Sequence, residues 1–415
     1  MDFFRKELIY VSILLLGSIS WGLTMAYWSP CKISMTDSLE YSDIIGTLFN
    51  FLAPLACIFG GPFISIFIDK LGRNKSIFIT SLFMFLSWVA MSYTKSNFYY
   101  LALITRFFLG FAVGSFSTII PMYIIELSPN DVIGAYRALH QFGISIGILL
   151  CYIMGIWLKW RKITLLSSIP AGLLSILIWL VPESKIDSVQ KSNENTVKES
   201  VFQQIYIKQI LISAAFMFFQ QFAGTNAFLA NLNDIFSKSR IDIKSSAASV
   251  IVGLIGSASV LLISVIIGLC GRKLVWYISS LGQAVVLALC ACNAKWNWSP
   301  IIPIICLILD NLLFSIGVAP IPWFVLPELF NESVRSSATS FITATNWLFG
   351  SVLFFLWDVM ASAIGLSWSF SIFAVIMVFG FIFGIFVFSN QSGIEDTQAD
   401  MDNANSSKLL DQVLI

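Results

Sequence analysis

The sequence predicts an all-α membrane protein with twelve transmembrane helices in two halves of six. Its composition is the first observation: 57% of the 415 residues are hydrophobic and only 11% are charged, whereas about a quarter of the residues in a soluble domain are charged. The second observation is that apolar runs of about 20 residues, long enough to cross the hydrocarbon core as a helix, recur along the whole chain. Outer-membrane barrels show alternating segments of about ten residues instead.

The predicted spans follow from these apolar runs and from the polar segments between them. The first run begins near Glu7, and because no small-residue cleavage site follows it, a retained span is favoured over a signal peptide. The twelve predicted spans are residues 7–29, 43–68, 76–94, 98–126, 133–158, 163–181, 207–232, 245–269, 274–292, 299–328, 336–358 and 366–389.

A polar interval, residues 182–206, separates the sixth span from the seventh and is the predicted central cytoplasmic loop. The predicted domains are therefore an N-terminal six-helix bundle over residues 1–181 and a C-terminal six-helix bundle over residues 207–390. Residues 391–415 hold five acidic residues and are predicted to form a disordered cytoplasmic tail.

Lysine and arginine in the loops predict the orientation, because positively charged loops stay on the cytoplasmic side. With both termini inside, fourteen of the 24 lysines and arginines fall in cytoplasmic segments and nine in outer segments. The remaining one, Arg106, lies within the fourth span. This bias predicts cytoplasmic termini, and the plasma membrane is the predicted location because no other address is visible.

Two pairs of motifs repeat between the halves. DKLGRNK after the second span is echoed by LCGRKL after the eighth, so that Gly271 lies 199 residues after Gly72. PMYIIE, which ends at Glu126, is echoed by PWFVLPE, which ends at Glu328. Two six-span halves with matching motifs are typical of transporters in which one bundle rocks against the other.

Several function classes are excluded by residues that the sequence lacks. The net charge of +1 offers no basic surface for nucleic acid. The seven cysteines show no CxxC spacing and are interpreted as mainly buried apolar residues. There is no P-loop, GxSxG or HExxH motif, and the single histidine, His140, is predicted to be a packing residue. No enzyme activity, metal site or cofactor is predicted.

The motifs together resemble a known family. They are DKLGR after the second span, RFFLGFAVGSFSTIIPMYIIELSP in the fourth, LHQFGISIGIL in the fifth, VPES after the sixth, FFQQFAGTNA in the seventh and APIPWFVLPELFNESVR in the tenth. In this order they resemble the sugar porter family of the major facilitator superfamily over nearly the whole chain. AYWSPCKISMTD and FSIGVAPIPW are most similar to the facilitated trehalose transporters of insects. The resemblance implies the major facilitator fold and sugar transport by alternating access.

Uncharged amides and indoles inside the membrane suit a sugar as the ligand. An amide donates and accepts hydrogen bonds without a charge to desolvate, and an aromatic ring covers the apolar face of a sugar. The residues to which the resemblance assigns sugar binding are Gln141, Gln220, Gln221, Asn226, Trp323, Asn346 and Trp347. The residue types alone leave open that these amides only join helices. Gln220 and Asn226 do not share a face of a straight helix, so a break at Gly224 is predicted.

Charged residues at the cytoplasmic ends of helices are predicted to control opening and closing. A carboxylate there can accept from an arginine fork and from the free N–H groups at the start of a neighbouring helix. These gating candidates are Asp69, Arg73, Glu126, Arg272, Glu328 and Arg335. For the arginines, the alternative is a contribution to membrane orientation alone.

Four features depart from the family pattern. Ile133 stands where an arginine is expected, Gly268 where an acid is expected, and Ala230-Asn231 where an aromatic pair is usual. The central loop is also far shorter than in the family. These departures leave open a second function, a sugar sensor that binds without transporting.

Whether transport is coupled to protons depends on acids inside the membrane. The segment GLTMAYWSP of the first span has none, although the family's proton symporters carry one there, so facilitated diffusion is favoured. Asp310, inside the tenth span, leaves proton coupling open as an alternative, because an acid within a span is a functional candidate. Otherwise Asp310 is expected to pair with Asn311 or to reach the outer interface.

Overall fold

A computed structural model describes residues 2–128, 133–183, 203–238, 245–326, 329–330 and 332–389. These residues are almost entirely helical, and no strand occurs among them. The predicted acidic tail and the predicted central loop, apart from the two residues at its start and the four at its end, lie outside the described residues.

The helices fall into an N-terminal set, up to residue 183, and a C-terminal set, from residue 203. The N-terminal set consists of α1 (Asp2–Ala26), α2 (Trp28–Leu39), α3 (Asp43–Leu71), α4 (Arg73–Ser92), α5 (Tyr100–Leu127), α6 (Ile133–Trp157) and α7 (Trp160–Leu177). The C-terminal set consists of α8 (Ile207–Gln221), α9 (Thr225–Ala230), α10 (Leu232–Lys238), α11 (Ser245–Trp296), α12 (Ile302–Leu313), α13 (Ile321–Val325), α14 (Glu332–Ala363) and α15 (Gly365–Ser389).

Within the described residues, eleven helical stretches are long and apolar enough to cross a membrane. They correspond to all the predicted spans except the eighth, and the chain is an integral multi-pass membrane protein. The eighth predicted span, 245–269, forms the first part of α11, where the described apolar stretch is Ala247–Val260. Most side chains between residues 261 and 269 lie outside the described part of the chain.

Three of the predicted spans are interrupted helices. The first is interrupted at Tyr27 and continues as α2 to Leu39, ten residues beyond its predicted end. The seventh is divided into α8, α9 and α10, and the tenth passes through a π-helical segment, Phe314–Val318, before α13. Interruptions within a span are typical of the helices with which transporters build their binding sites.

The repeated glycine motif adopts the same backbone conformation in both sets. Gly72 has φ 84° and ψ 173°, and Gly271 has φ 73° and ψ 154°. Only glycine adopts these angles without steric cost, and they let one span turn directly into the next without a loop. The sequence repeat is therefore also a repeat of local structure, with an arginine as the next residue in each case.

Glycines allow close packing inside the N-terminal set. A side chain on Gly110 or Gly114 of α5 would collide with the backbone of α3 at Ala53 and Cys57. Gly147 of α6 is equally close to the backbone of α1. This close approach is the expected role of glycines spaced four apart. Between the sets, α3 packs along α14 and α6 packs along α11.

Candidate functional site

The break predicted in the seventh span is present. Helix α8 ends at Gln221, Gly224 takes a left-handed conformation with φ 86°, and α9 begins at Thr225. The break turns the side chain of Asn226 back toward α8, so that its Nδ2 donates to Oε1 of Gln221 at 3.0 Å. A straight helix would have separated these two amides.

Asn346 of α14 joins the amides of α8 into one cluster. Gln221 Nε2 donates to Asn346 Oδ1 at 2.8 Å, and Asn346 Nδ2 donates to Gln220 Oε1 at 2.6 Å. Gln220 in turn donates to the backbone carbonyl of Ala319. These bonds define the amide cluster as Gln220, Gln221, Asn226 and Asn346. Three of its members are at most 5% exposed, and Asn226 is half-buried.

Indole rings lie beside the amide cluster and connect the two sets of helices. Trp347 follows Asn346 in α14, and its Nε1 donates to Ser117 Oγ of α5 at 3.3 Å. Its ring centroid is 5.6 Å from that of Trp21 in α1, and Trp21 lies 5.6 Å from His140. His140 Nδ1 is 2.7 Å from Ser18 Oγ. Sequence reasoning missed Trp21 and Ser117, because nothing in their local sequence shows which way they face.

The other two predicted sugar-binding residues are more exposed than the amide cluster. Gln141 is exposed, although it follows His140 directly in the chain. Trp323 of α13 is 36% exposed. Neither side chain forms a hydrogen bond with the amide cluster among the described residues. The structure thus brings together five of the seven predicted positions, counting Trp347.

Asp310 of α12 has different neighbours from those expected. Its side chain is buried, and it accepts from Thr225 Oγ1 at 2.8 Å and from Gln283 Nε2 at 2.9 Å. Asn311 instead donates to the carbonyl of Val252 at 3.1 Å. The expected pairing with Asn311, or contact with the outer interface, is therefore wrong. Consecutive residues point about 100° apart on a helix, so the two face different neighbours.

A polar network at Gly72 links the start of α4, the end of α5 and the segment that follows α7 in the N-terminal set. Arg73 forms a bidentate ion pair with Glu126, with Nη2 to Oε1 at 3.0 Å and Nε to Oε2 at 3.2 Å. The carboxylate of Glu183 accepts the backbone N–H groups of Arg73 and Asn74 at the start of α4. Asn74 also donates to the carbonyl of Val181 at 2.7 Å. We call this region the Gly72 end.

This network supports the chemistry expected of the charged motifs, but divides it between two acids. Glu126 binds the arginine fork, and Glu183 binds the helix start. Glu183 was not predicted as a site residue, although it belongs to the VPES motif. Arg272 is half-exposed at the equivalent position of the C-terminal set. Glu328 and the side chains of Asp69 and Arg335 lie outside the described residues.

The opposite end of the bundle is joined by contacts between the two sets. Lys32 of α2 forms an ion pair with Asp234 of α10 at 3.3 Å. The backbone N–H of Asn233 donates to Ser29 Oγ at 3.3 Å, and the hydroxyl of Tyr152 donates to the carbonyl of Leu229 at 2.6 Å. We call this region the Lys32 end. None of these contacts was predicted.

Arg106 is buried inside the N-terminal set and has carbonyl partners. Its Nη1 donates to the carbonyl of Thr24 at 2.7 Å and its Nε to that of Phe49 at 3.3 Å. Its guanidinium also lies 5.0 Å from the ring centroid of Phe49. Among the described residues, no carboxylate forms an ion pair with this arginine.

Comparison with known proteins decides the family. A family model described as "Sugar (and other) transporter" matches residues 12–200 and 185–395. The chain belongs to this sugar transporter family. Family membership confirms the resemblance that the motifs predicted, and it agrees with the prediction that the chain is not an enzyme.

Named relatives of this chain include insect proteins. It is 28% identical to the facilitated trehalose transporter Tret1-1 of Drosophila simulans, over 93% of this chain and 50% of that protein. It is also 28% identical to the facilitated trehalose transporter Tret1 of Bombyx mori, over 98% of this chain and 88% of that protein. The chain thus spans about half the length of the Drosophila relative.

The fold of this chain is that of the xylose transporter XylE from E. coli. The partially occluded inward-open conformation of the xylose transporter XylE from E. coli matches it with a TM-score of 0.79. That match covers 92% of this chain and 98% of the other, at 21% identity. The predicted fold class is confirmed.

Proposed function

We propose that this chain is a facilitative sugar transporter, which carries a hexose or a trehalose-like disaccharide down its gradient by alternating access. The observation that carries this proposal is the amide cluster at the Gly224 break. Its position in the middle of a span, between two sets of helices, is where transporters of this architecture bind their solutes. Uncharged amides can replace water around the hydroxyl groups of a sugar.

Within the site, the half-buried Asn226 is the amide best placed to meet a sugar. Gln220, Gln221 and Asn346 already bond to one another, so they orient Asn226 and exchange partners when the sugar enters. The indoles of Trp347 and Trp21 cover the apolar face of the sugar. Gln141 and Trp323 are proposed to complete the site at its exposed side.

Two observations favour facilitated diffusion over proton coupling. The buried Arg106 donates to the carbonyls of Thr24 and Phe49, and among the described residues no acid of the first span bonds to it. Asp310 is enclosed by Thr225 and Gln283 and is only 1% exposed, so its carboxyl group does not face an open cavity in this conformation.

The proposed orientation places both termini and the Gly72 end in the cytoplasm of a cell, with the Lys32 end outside the plasma membrane. The lysine and arginine bias supports this assignment. The two moving bodies are proposed to be residues 1–181 and 207–390. With contacts between the sets at the Lys32 end, this conformation corresponds to a carrier closed on its outer side.

Uptake of radiolabelled sugars into vesicles that contain the purified chain tests the proposal. A panel of hexoses and trehalose should reveal at least one sugar that equilibrates across the membrane. Asn226→Ala should lower its uptake more than tenfold at low sugar concentration. Asn293→Ala is the matched control, because Asn293 is a buried amide whose Oδ1 accepts from the nearby backbone N–H of Ser299, and among the described residues its side chain forms no other hydrogen bond.

Three outcomes separate the alternatives. Sugar that binds but never crosses would support the sensor. Uptake that depends on a proton gradient and loses that dependence in Asp310→Asn would support the symporter. If no sugar of the panel binds or crosses, the sugar assignment is wrong.

A further inference from the structure

Asp310 is a buried acid that the transport cycle described above does not use. Its carboxylate is 1% exposed, and among the described residues no lysine or arginine forms an ion pair with it. Its two oxygens accept from a hydroxyl and an amide, one each. Burial of a carboxyl group without a cation costs free energy. We therefore consider which residues its hydrogen bonds hold in place.

Both partners lead to the break in the seventh span. Thr225 donates its hydroxyl to Asp310 Oδ2, and it stands between Gly224 and Asn226 in the chain. The amide of Gln283, from α11, donates both to Asp310 Oδ1 at 2.9 Å and to Thr225 Oγ1 at 3.1 Å. Three helices, α9, α11 and α12, therefore meet at one closed set of hydrogen bonds.

This set of bonds restrains the first residue of a very short helix. Helix α9 contains only six residues, so its own hydrogen bonds cannot hold it in place. The glycine that precedes it can adopt many conformations. Thr225 directly precedes Asn226 in the chain. The hydrogen bond from Thr225 to Asp310 therefore restrains the backbone next to Asn226.

We propose that Asp310 is a positioning residue for the sugar site, because it holds Thr225 and thereby sets the direction in which Asn226 points. The inference rests on the proposed function of the amide cluster. Asp310 does not touch the sugar in this role. It acts through the start of α9, and Gln283 fixes its carboxylate.

Neighbouring Asn311 provides a matched control. It is also a buried polar residue of α12, 5% exposed, and it bonds to the carbonyl of Val252 on α11. It therefore joins α12 to the part of α11 that precedes Gly271, whereas Gln283 lies in the part that follows Gly271, and among the described residues Asn311 forms no hydrogen bond with the residues of the break. A general loss of helix packing should appear in Asn311→Ala, whereas a loss of positioning should not.

The test measures KM and Vmax for the transported sugar in reconstituted vesicles. Thr225→Val keeps the shape of the side chain and removes its hydroxyl, and Asp310→Asn replaces one acceptor oxygen by a donor. Each should raise KM roughly three- to tenfold, the range expected for one interhelical hydrogen bond, with Vmax per inserted molecule nearly unchanged.

Two control variants complete the test. Thr225→Ser keeps the hydroxyl, so its KM should lie within about twofold of the parent. Asn311→Ala should lower the amount of folded protein and leave KM unchanged.

A second measurement is independent of transport. Asn226→Cys is labelled with a membrane-permeant thiol reagent, and the labelled peptide is quantified by mass spectrometry to separate it from the native cysteines. Adding Thr225→Val should change the labelling rate more than threefold, and adding Asn311→Ala should not. If the parent chain transports no sugar, the proposed function is contradicted. The positioning role of Asp310 is then tested by the labelling rates of the Asn226→Cys variants alone. An unchanged KM or an unchanged labelling rate in Thr225→Val overturns the inference.

Discussion

The two ends of the helix bundle are held together in different ways. At the Gly72 end, Glu126 and Glu183 bond to residues of their own N-terminal set, and the Arg73–Glu126 pair is almost fully buried, with side chains 5% and 8% exposed. At the Lys32 end, the ion pair from Lys32 to Asp234 crosses between the sets, and these side chains are 33% and 29% exposed.

This difference in burial leads to a difference in how much each ion pair contributes to stability. Removing one partner of a buried ion pair costs about 3–5 kcal/mol, whereas an exposed pair contributes about 0–1 kcal/mol. In an alternating-access carrier, bonds inside one body persist, and bonds between the bodies must break in every cycle. The strong links therefore belong within a set and the weak ones between the sets, as the two ends show.

The largest expected effect is the loss of the buried pair. Glu126→Ala removes the carboxylate that binds the buried Arg73 guanidinium through two bonds, so the free energy of unfolding should fall by about 3–5 kcal/mol. Chemical denaturation in detergent micelles measures this change. Lys70→Ala is the control, because Lys70 is an exposed cation near the same end of α3, and its loss should have almost no effect. Equal stabilities of the two variants would contradict the contrast between the ends.

A smaller effect is expected from the acid that binds the start of α4. Glu183→Ala removes the acceptor for the backbone N–H groups of Arg73 and Asn74, and loss of such a cap costs about 0.5–2 kcal/mol. Glu183→Gln keeps one acceptor oxygen and should lose less than half as much. The same denaturation measurement applies, and a Glu183→Ala variant as stable as the parent would show that the cap contributes nothing.

The fold was predictable because its signals are local in the sequence. Apolar length predicted the spans, the geometry of a helix predicted the break at Gly224, and the repeated motifs marked the glycines that turn one span into the next. The pair of Arg73 with Glu126 was expected because both lie at helix ends on one side of the membrane.

The partners that were missed are determined by three-dimensional packing. Thr225 and Gln283 are separated from Asp310 by 85 and 27 residues, and Trp21 reaches Trp347 from the other set. Which residues of two helices face each other depends on rotations and crossing angles that one sequence does not specify. The bonds across the Lys32 end depend in addition on the conformation of the carrier, which changes during transport.

The smallest expected effect tests the weak link directly. In a double-mutant cycle with Lys32→Ala and Asp234→Ala, the coupling energy should not exceed about 1 kcal/mol. It should decrease further in about 1 M salt, because exposed charges are screened over about 3 Å there. Unfolding free energies of the parent, the single variants and the double variant at low and high salt provide the measurement. A coupling energy of about 3 kcal/mol that persists in salt would mean that the Lys32 end is held as firmly as the Gly72 end, and a link of that strength between the two sets would slow every opening of the carrier on this side.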